Sequence, residues 1–252
     1  MTKSKMTFVG CSFTVGVGLE YEKSDQGNYA NIVGKTHDSL VTNLSVGGNS
    51  NYNIFISAIN ELIENEPDYL IVQWTALNRL WLYPGPDTFL YLDFDVKQDF
   101  QYRDIVFSKK ELQKFSDIFH LLNHDYHNII TLVDYCKIIN AVTKNTKIIF
   151  INGLVPWTSD LFNSASINDP FAKFGNFTKE ILDFENREDS ELHTLFSNIH
   201  DKLMQLDTTQ WVNLIDSMAR SQIDYGSDAA HPGYKSHELY ATMINDYLKE
   251  NK

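Results

Sequence analysis

Tyr69-Leu-Ile-Val-Gln-Trp74 (YLIVQW) decides the fold, together with the similar run Lys147–Asn152 (KIIFIN). Neither alternates apolar with polar residues as a half-solvated strand does. Both are continuous, which marks strands covered on two faces within a parallel sheet. YLIVQW follows Pro67-Asp68, which ends a helix read over 52–64 (YNIFISAINELIE). In that helix Ile54, Ala58 and Leu62 recur at helical spacing behind Asn and Ser residues suited to capping. Further out, Lys5–Val9 reads as a first strand, 40–44 (LVTNL) as a short second one and 211–215 (WVNLI) as the last. Segments 111–142, with a break near Asn123-His124, 190–206 and 236–249 read as helical. Strands alternating with helices make an α/β chain. Two stretches without a clear period, 80–105 and 153–178, read as long excursions, and such loops are often binding elements. No repeat, linker or low-complexity block divides 1–252, so one domain is expected.

Composition narrows the function classes. Of 252 residues 43% are hydrophobic and 13% aromatic, enough for a substantial core rather than a disordered chain. A formal net charge of −12 argues against nucleic acid, whose phosphates need clustered Lys and Arg, and against anionic lipid. A neutral or weakly charged substrate fits better. Cys11 and Cys136 are too few for a disulfide framework. The apolar run after the basic start MTKSK is too short for a signal-peptide core, and no stretch reaches the length of a membrane span. The expectation is a cytoplasmic protein, though a component of a phage particle would look the same; the oligomeric state is left open.

In open α/β sheets, sites form beyond the C-terminal ends of the strands. Four such places carry small or polar residues: Gly10-Cys11-Ser12, the run 43–50 (NLSVGGNS), the run Thr75-Ala-Leu-Asn78-Arg79, and Asp228-Ala-Ala-His231-Pro232 near the C-terminus. Together they hold the parts that acyl transfer needs. A serine hydroxyl becomes a nucleophile when a base takes its proton, and His231 supplies an imidazole, the side chain whose ordinary range suits that work. Asp228, three residues earlier, is spaced to hold the other ring nitrogen. The developing oxyanion needs preorganised donors, each contributing roughly 3–4 kcal/mol. The Ser12 N–H, the Gly48 N–H and the Asn78 amide are the candidates, and a glycine at 48 lets a substrate oxygen approach the main chain.

These blocks resemble the SGNH, or GDSL-type, hydrolase superfamily, in order from Gly10 to Pro232, in the branch seen in bacteria and tailed phages. The resemblance implies a three-layer α/β/α sandwich of flavodoxin-like kind with a mostly parallel central sheet. It implies Ser12 as nucleophile, Asp228 and His231 completing a triad, and Ser12, Gly48 and Asn78 lining an oxyanion hole. It needs no cofactor. Two places depart from the family's pattern. Cys11 stands where the family has aspartate before the serine, and Asn78 falls about one residue late, so Thr75 competes for the third donor's role. The expected activity is hydrolysis of small acyl esters, such as acetyl on a glycan. Acetyl transfer to a polysaccharide and a non-catalytic module of the same fold are the alternatives.

Other features have plainer readings. The histidines His120, His124 and His127 share one helical face but lack a completing ligand, and read as a solvated face rather than a metal site. Asp93, Asp95 and Asp99 lack the glycine and terminal glutamate of a calcium loop. Cys11 reads as a small buried residue. Trp74, Trp81, Tyr83, Phe89, Tyr91 and Trp157 either line a substrate pocket or seal the core under the two excursions. With Thr75, Trp74 and Arg79 are taken as candidate substrate contacts, and Arg79 pairs with either a substrate carboxylate or a nearby Asp.

Overall fold

The computed structural model describes residues 2–20, 27–76, 79, 100–102, 105–110, 113–114, 125–153, 207–212, 218–219 and 221–251. Five parallel strands form the main sheet: β1 (Lys5–Val9), β2 (Leu40–Asn43), β3 (Tyr69–Trp74), β6 (Lys147–Asn152) and β7 (Trp211–Val212). Two short strands, β4 (Phe100–Tyr102) and β5 (Ile105–Phe107), pair antiparallel as a separate hairpin. The helices are α1 (Ser12–Val15), α2 (Tyr29–Thr36), α3 (Asn51–Glu64), α4 (Asp125–Val142) and α5 (Tyr234–Glu250). The sheet order is β2-β1-β3-β6-β7, the flavodoxin-like order, with its switch point between β1 and β3.

Strand alternation sorts the core into two faces. Val9, Leu70, Val72, Trp74, Ile148, Phe150 and Trp211 point to one side, against Ile54, Ala58 and Leu62 of α3 and Leu132, Val133, Cys136 and Ile139 of α4. Met6, Phe8, Ile71, Ile149, Ile151 and Val212 point to the other, against Tyr29, Ala30 and Val33 of α2 and Tyr240, Ala241, Ile244 and Leu248 of α5. The result is the three-layer sandwich expected. Each fully buried aliphatic side chain contributes about 1.5–3 kcal/mol relative to exposure. The covered strands therefore account for the continuous apolar runs in the sequence.

Helix α3 starts where the Ser50 hydroxyl accepts the Asn53 N–H. It stops at Asn65, after which Glu66 takes a left-handed φ of 41° ahead of Pro67. Its one buried acid, Glu61, is matched by the Thr7 hydroxyl on β1 and the Asn65 amide, each at 2.7 Å.

Several boundaries differ from the sequence reading. The second strand ends at Asn43 and the C-terminal helix starts at Tyr234; of the strand read over 211–215 the described part is Trp211–Val212, and 213–215 lie outside the described residues. The stretch 80–105 is not wholly irregular, since β4 and the first residue of β5 lie in it. Helix α2 was not expected. Of the helix read over 111–142 the described parts are residues 113–114 and α4, both helical, and the helix read over 190–206 lies outside the described residues, as does the loop at 154–178. Among the described residues no helix is long and apolar enough to cross a membrane.

Candidate active site

The chain leaves β1 at Gly10 and turns at once into the single turn of α1, whose first residue is Ser12. Cys11 precedes it in extended conformation, and its carbonyl accepts the Thr14 and Val15 N–H groups. The turn closes on Gly16, left-handed at φ 88°, and Gly18 follows at φ 90°. Glycine-spaced GVG is thus a pair of positive-φ positions that only glycine adopts without strain. Ser12 is 4% exposed. Among the described residues its hydroxyl has one long contact, 4.0 Å to Cys11 Sγ, and its N–H has no hydrogen-bond acceptor. Cys11 is buried, as its small-residue reading required.

The turn after β2 hangs on the same segment. Gly10 O accepts both the Val46 N–H at 3.2 Å and the Asn49 side-chain amide at 3.1 Å, and Asn43 Nδ2 donates to Thr14 O at 2.9 Å. Gly48 lies within this anchored turn at φ 73°, and a Cβ there would meet no atom of the described residues within 4 Å. The side of Gly48 where a side chain would stand is therefore open, in a turn anchored on Gly10, two residues before Ser12.

The exit of β3 is held to the start of α3. The Asn51 side chain accepts the Thr75 N–H at 2.8 Å and donates to Thr75 O at 3.1 Å. Arg79 reaches back to Asn49 O at 3.4 Å. Thr75 is fully buried. Asn78 lies outside the described residues, so the choice between it and Thr75 rests where the sequence left it. Trp74 requires a correction. Expected at the substrate, it is instead buried in the core face between β3 and α4, with Tyr135 and Phe150 stacked beside it at 6.4 and 5.9 Å between ring centroids. Trp81, Tyr83, Phe89, Tyr91 and Trp157, the three aspartates at 93, 95 and 99, and His120 and His124 lie outside the described residues.

Asp228 and His231 sit at the tip of a narrow loop. Its sides are joined by Gly226 N–H to His231 O at 2.8 Å and Gly233 N–H to Asp224 O at 3.1 Å, with Tyr225 and Pro232 bridged antiparallel. Ala229, between the pair, adopts a left-handed φ of 55°, a conformation that costs a non-glycine residue roughly 1–2 kcal/mol. That bend lets one carboxylate do two tasks. Asp228 Oδ1 accepts the Ala230 and His231 N–H groups at 3.0 Å each, and Oδ2 takes His231 Nδ1 at 2.6 Å. Backbone donation by His231 and Ala230, then the imidazole hydrogen bond, pulls the Asp228 carboxyl down to about 2. It is ionised throughout the neutral and mildly acid range. With Nδ1–H committed to Asp228, the neutral imidazole presents Nε2 as its basic atom.

This loop packs on the segment that follows Ser12. Gly18 O accepts both the N–H and the hydroxyl of Ser227, and a Cβ on Gly18 would stand 3.0 Å from His231 Cβ and 3.1 Å from Asp228 Oδ1. Phe13, immediately after Ser12, meets the His231 ring edge to face at 6.1 Å between centroids. Residues from the two ends of the chain are thereby gathered at one end of the sheet. Sequence reasoning missed Asn51, which pins the β3 exit, and Phe13 as the ring beside the imidazole. Asn51 was hidden because it read as one of several capping residues.

No family model matches the chain, and no curated protein matches it. Solved structures similar to it include LAE5, an alpha/beta hydrolase enzyme from the metagenome of Lake Arreo, with 12% identity, a TM-score of 0.46 and coverage of 97% of this chain and 94% of that one. TesA is similar at 14% identity and a TM-score of 0.46, over 98% of both chains. A catalytic mutant of Axe2, an acetylxylan esterase from Geobacillus stearothermophilus, is similar at 14% identity and a TM-score of 0.45, over 98% of this chain and 95% of that one.

Proposed function

We propose that the chain is a serine-dependent ester hydrolase of the SGNH type. The observation that carries this reading is the Asp228–His231 pair, held at 2.6 Å and seated on the glycine loop that leaves Ser12. In the proposed reaction Ser12 Oγ attacks the ester carbonyl while His231 Nε2 takes its proton. Asp228, ionised and fixed by two backbone donors, orients the ring and stabilises the imidazolium that forms. The Ser12 and Gly48 N–H groups hold the oxyanion, with Asn78 or Thr75 as third donor. The imidazolium then protonates the leaving alcohol. Water, deprotonated by the same Nε2, releases the acid from the acyl-serine.

The substrate we favour is a small acyl ester, such as acetyl on a glycan. The net charge of −12 supports a neutral substrate over an anionic one, and hydrolysis of this kind needs no cofactor. Purified protein should hydrolyse p-nitrophenyl acetate and release acetate from acetylated oligosaccharides, and Ser12→Ala should abolish both. Turnover unchanged by Ser12→Ala, or none on any short-chain or glycan ester, would overturn the reading.

A further inference from the structure

We propose that Gln73 is a positioning residue for Ser12, a side-chain clamp that sets where the serine's N–H and hydroxyl stand. Gln73 is fully buried next to the last position of β3, on the face toward α2 and α5. A buried amide is costly unless its donor and acceptor are both matched. Among the described residues its partners lie on two short segments. Oε1 accepts the Cys11 N–H at 3.2 Å and the Thr14 hydroxyl at 2.7 Å. Nε2 donates to Trp74 O at 2.7 Å and contacts Cys11 Sγ at 3.4 Å. The amide's orientation follows from chemistry, since the Cys11 N–H needs an acceptor and the Trp74 carbonyl, which also takes the Gly153 N–H at 3.1 Å, can only accept.

Gln73 therefore grips the residue before Ser12 and the residue two after it, and joins both to the central strand. Thr14 spends its only hydroxyl proton on Gln73, so the Tyr29 hydroxyl must donate to Thr14 Oγ1 at 2.6 Å, which extends the support into α2. The surroundings are shaped to hold this amide. A Cβ on Gly10 would fall 2.8 Å from Gln73 Oε1 and 2.3 Å from Thr14 Oγ1, and one on Gly153 would fall 1.8 Å from Gln73 Nε2. Neither glycine has a positive φ. They are there to leave room, and the room is filled by the clamp.

The proposal rests on the hydrolase reading with Ser12 as nucleophile. A slack clamp would displace the Ser12 N–H and Oγ together, which weakens the transition state more than substrate binding. Misplacement by about 1 Å costs on the order of 10²-fold in rate. Gln73→Met keeps the volume without the hydrogen bonds, and should lower kcat on p-nitrophenyl acetate by about that factor with KM within twofold. Gln73→Glu gives a second test with a distinct signature. Its protonated carboxyl can both accept from Cys11 and donate to Trp74 O, whereas the ionised form cannot donate. Its kcat relative to wild type should therefore rise as pH is lowered.

Amide hydrogen exchange at Cys11, faster in Gln73→Met than in wild type, reads the clamp without reference to activity. Support consists of a selective kcat loss, faster Cys11 exchange and the low-pH recovery of Gln73→Glu. The proposal is overturned by an active wild type whose Gln73→Met variant keeps kcat, or by parallel losses in kcat and Tm with no recovery in Gln73→Glu. If Gln73→Met fails to fold, Gln73→Glu decides alone, by its pH-dependent ratio. A wild type inactive on every ester overturns the hydrolase reading first, and this assignment with it; Cys11 exchange unchanged by Gln73→Met in an active enzyme overturns the clamp only.

Discussion

Replacing His237 with asparagine isolates one source of acid lability in the fold. The imidazole is buried between α5 and α2, where Nδ1 accepts the Tyr29 N–H at 3.2 Å. Its ring stacks on Tyr29 and meets Tyr240 edge to face, with both centroids 5.9 Å away. Burial pushes its pKa down from 6.5 to about 4, with Asp224 pulling the other way. As pH falls through 6.5 the unfolded chain binds a proton at this position, while the folded chain binds it only near 4. Stability is therefore undiminished above 6.5, declines between 6.5 and 4, and changes no further below that on account of this group. A displacement of this size corresponds to about 3 kcal/mol. Asparagine does not titrate, and its Oδ1 can accept the Tyr29 N–H. Urea unfolding followed by circular dichroism, for both proteins at pH 7.5 and pH 4, gives the difference directly. The wild type should lead at pH 7.5 by the packing of its larger ring, and that lead should shrink by about 3 kcal/mol at pH 4. A difference that stays constant with pH would refute the placement of a neutral, desolvated histidine in this layer.

Two other outcomes follow from the site. Gly48→Ala meets no steric obstacle but forces a methyl-bearing residue to φ 73°, so unfolding free energy should fall by roughly 1–2 kcal/mol while kcat/KM on p-nitrophenyl acetate drops at least about tenfold as the methyl crowds the oxyanion's approach. Asp228→Asn should leave the circular dichroism spectrum unchanged, because the carboxylate is at the surface, yet lower kcat by roughly 10³–10⁴-fold as the imidazole loses its tautomer control.

The parts of the fold that were legible in the sequence are those where one signal acts alone. YLIVQW and KIIFIN are covered on both faces, so nothing in their local surroundings competes with the apolar run. Helix α2 was illegible for a reason its packing explains. Its Gly34 reads as a helix breaker, but a Cβ there would fall 2.0 Å from Val41 Cγ2, so the glycine serves the close approach of α2 to β2. The hairpin β4–β5 has only three residues per strand and two between them, neither a glycine, so no turn signal marks it. At the site, Asp228 and His231 were legible because a three-residue spacing suffices for a turn to join them. Trp74 and Gln73 were not, because the outcome depends on strand parity. The residue nearer the loop in sequence points into the core face toward α4, and its neighbour reaches Cys11 and Thr14 on either side of Ser12. Only the register of β3 against β1 and β6 decides between them.

The most direct test of the account is where a mechanism-based phosphonate becomes attached. Incubation with an alkyl p-nitrophenyl phosphonate, followed by intact-mass measurement and peptide mapping, should show one adduct, on Ser12, formed much more slowly in His231→Ala. Modification at Cys11 or elsewhere, or esters turned over by a protein whose Ser12 stays unmodified, would contradict it.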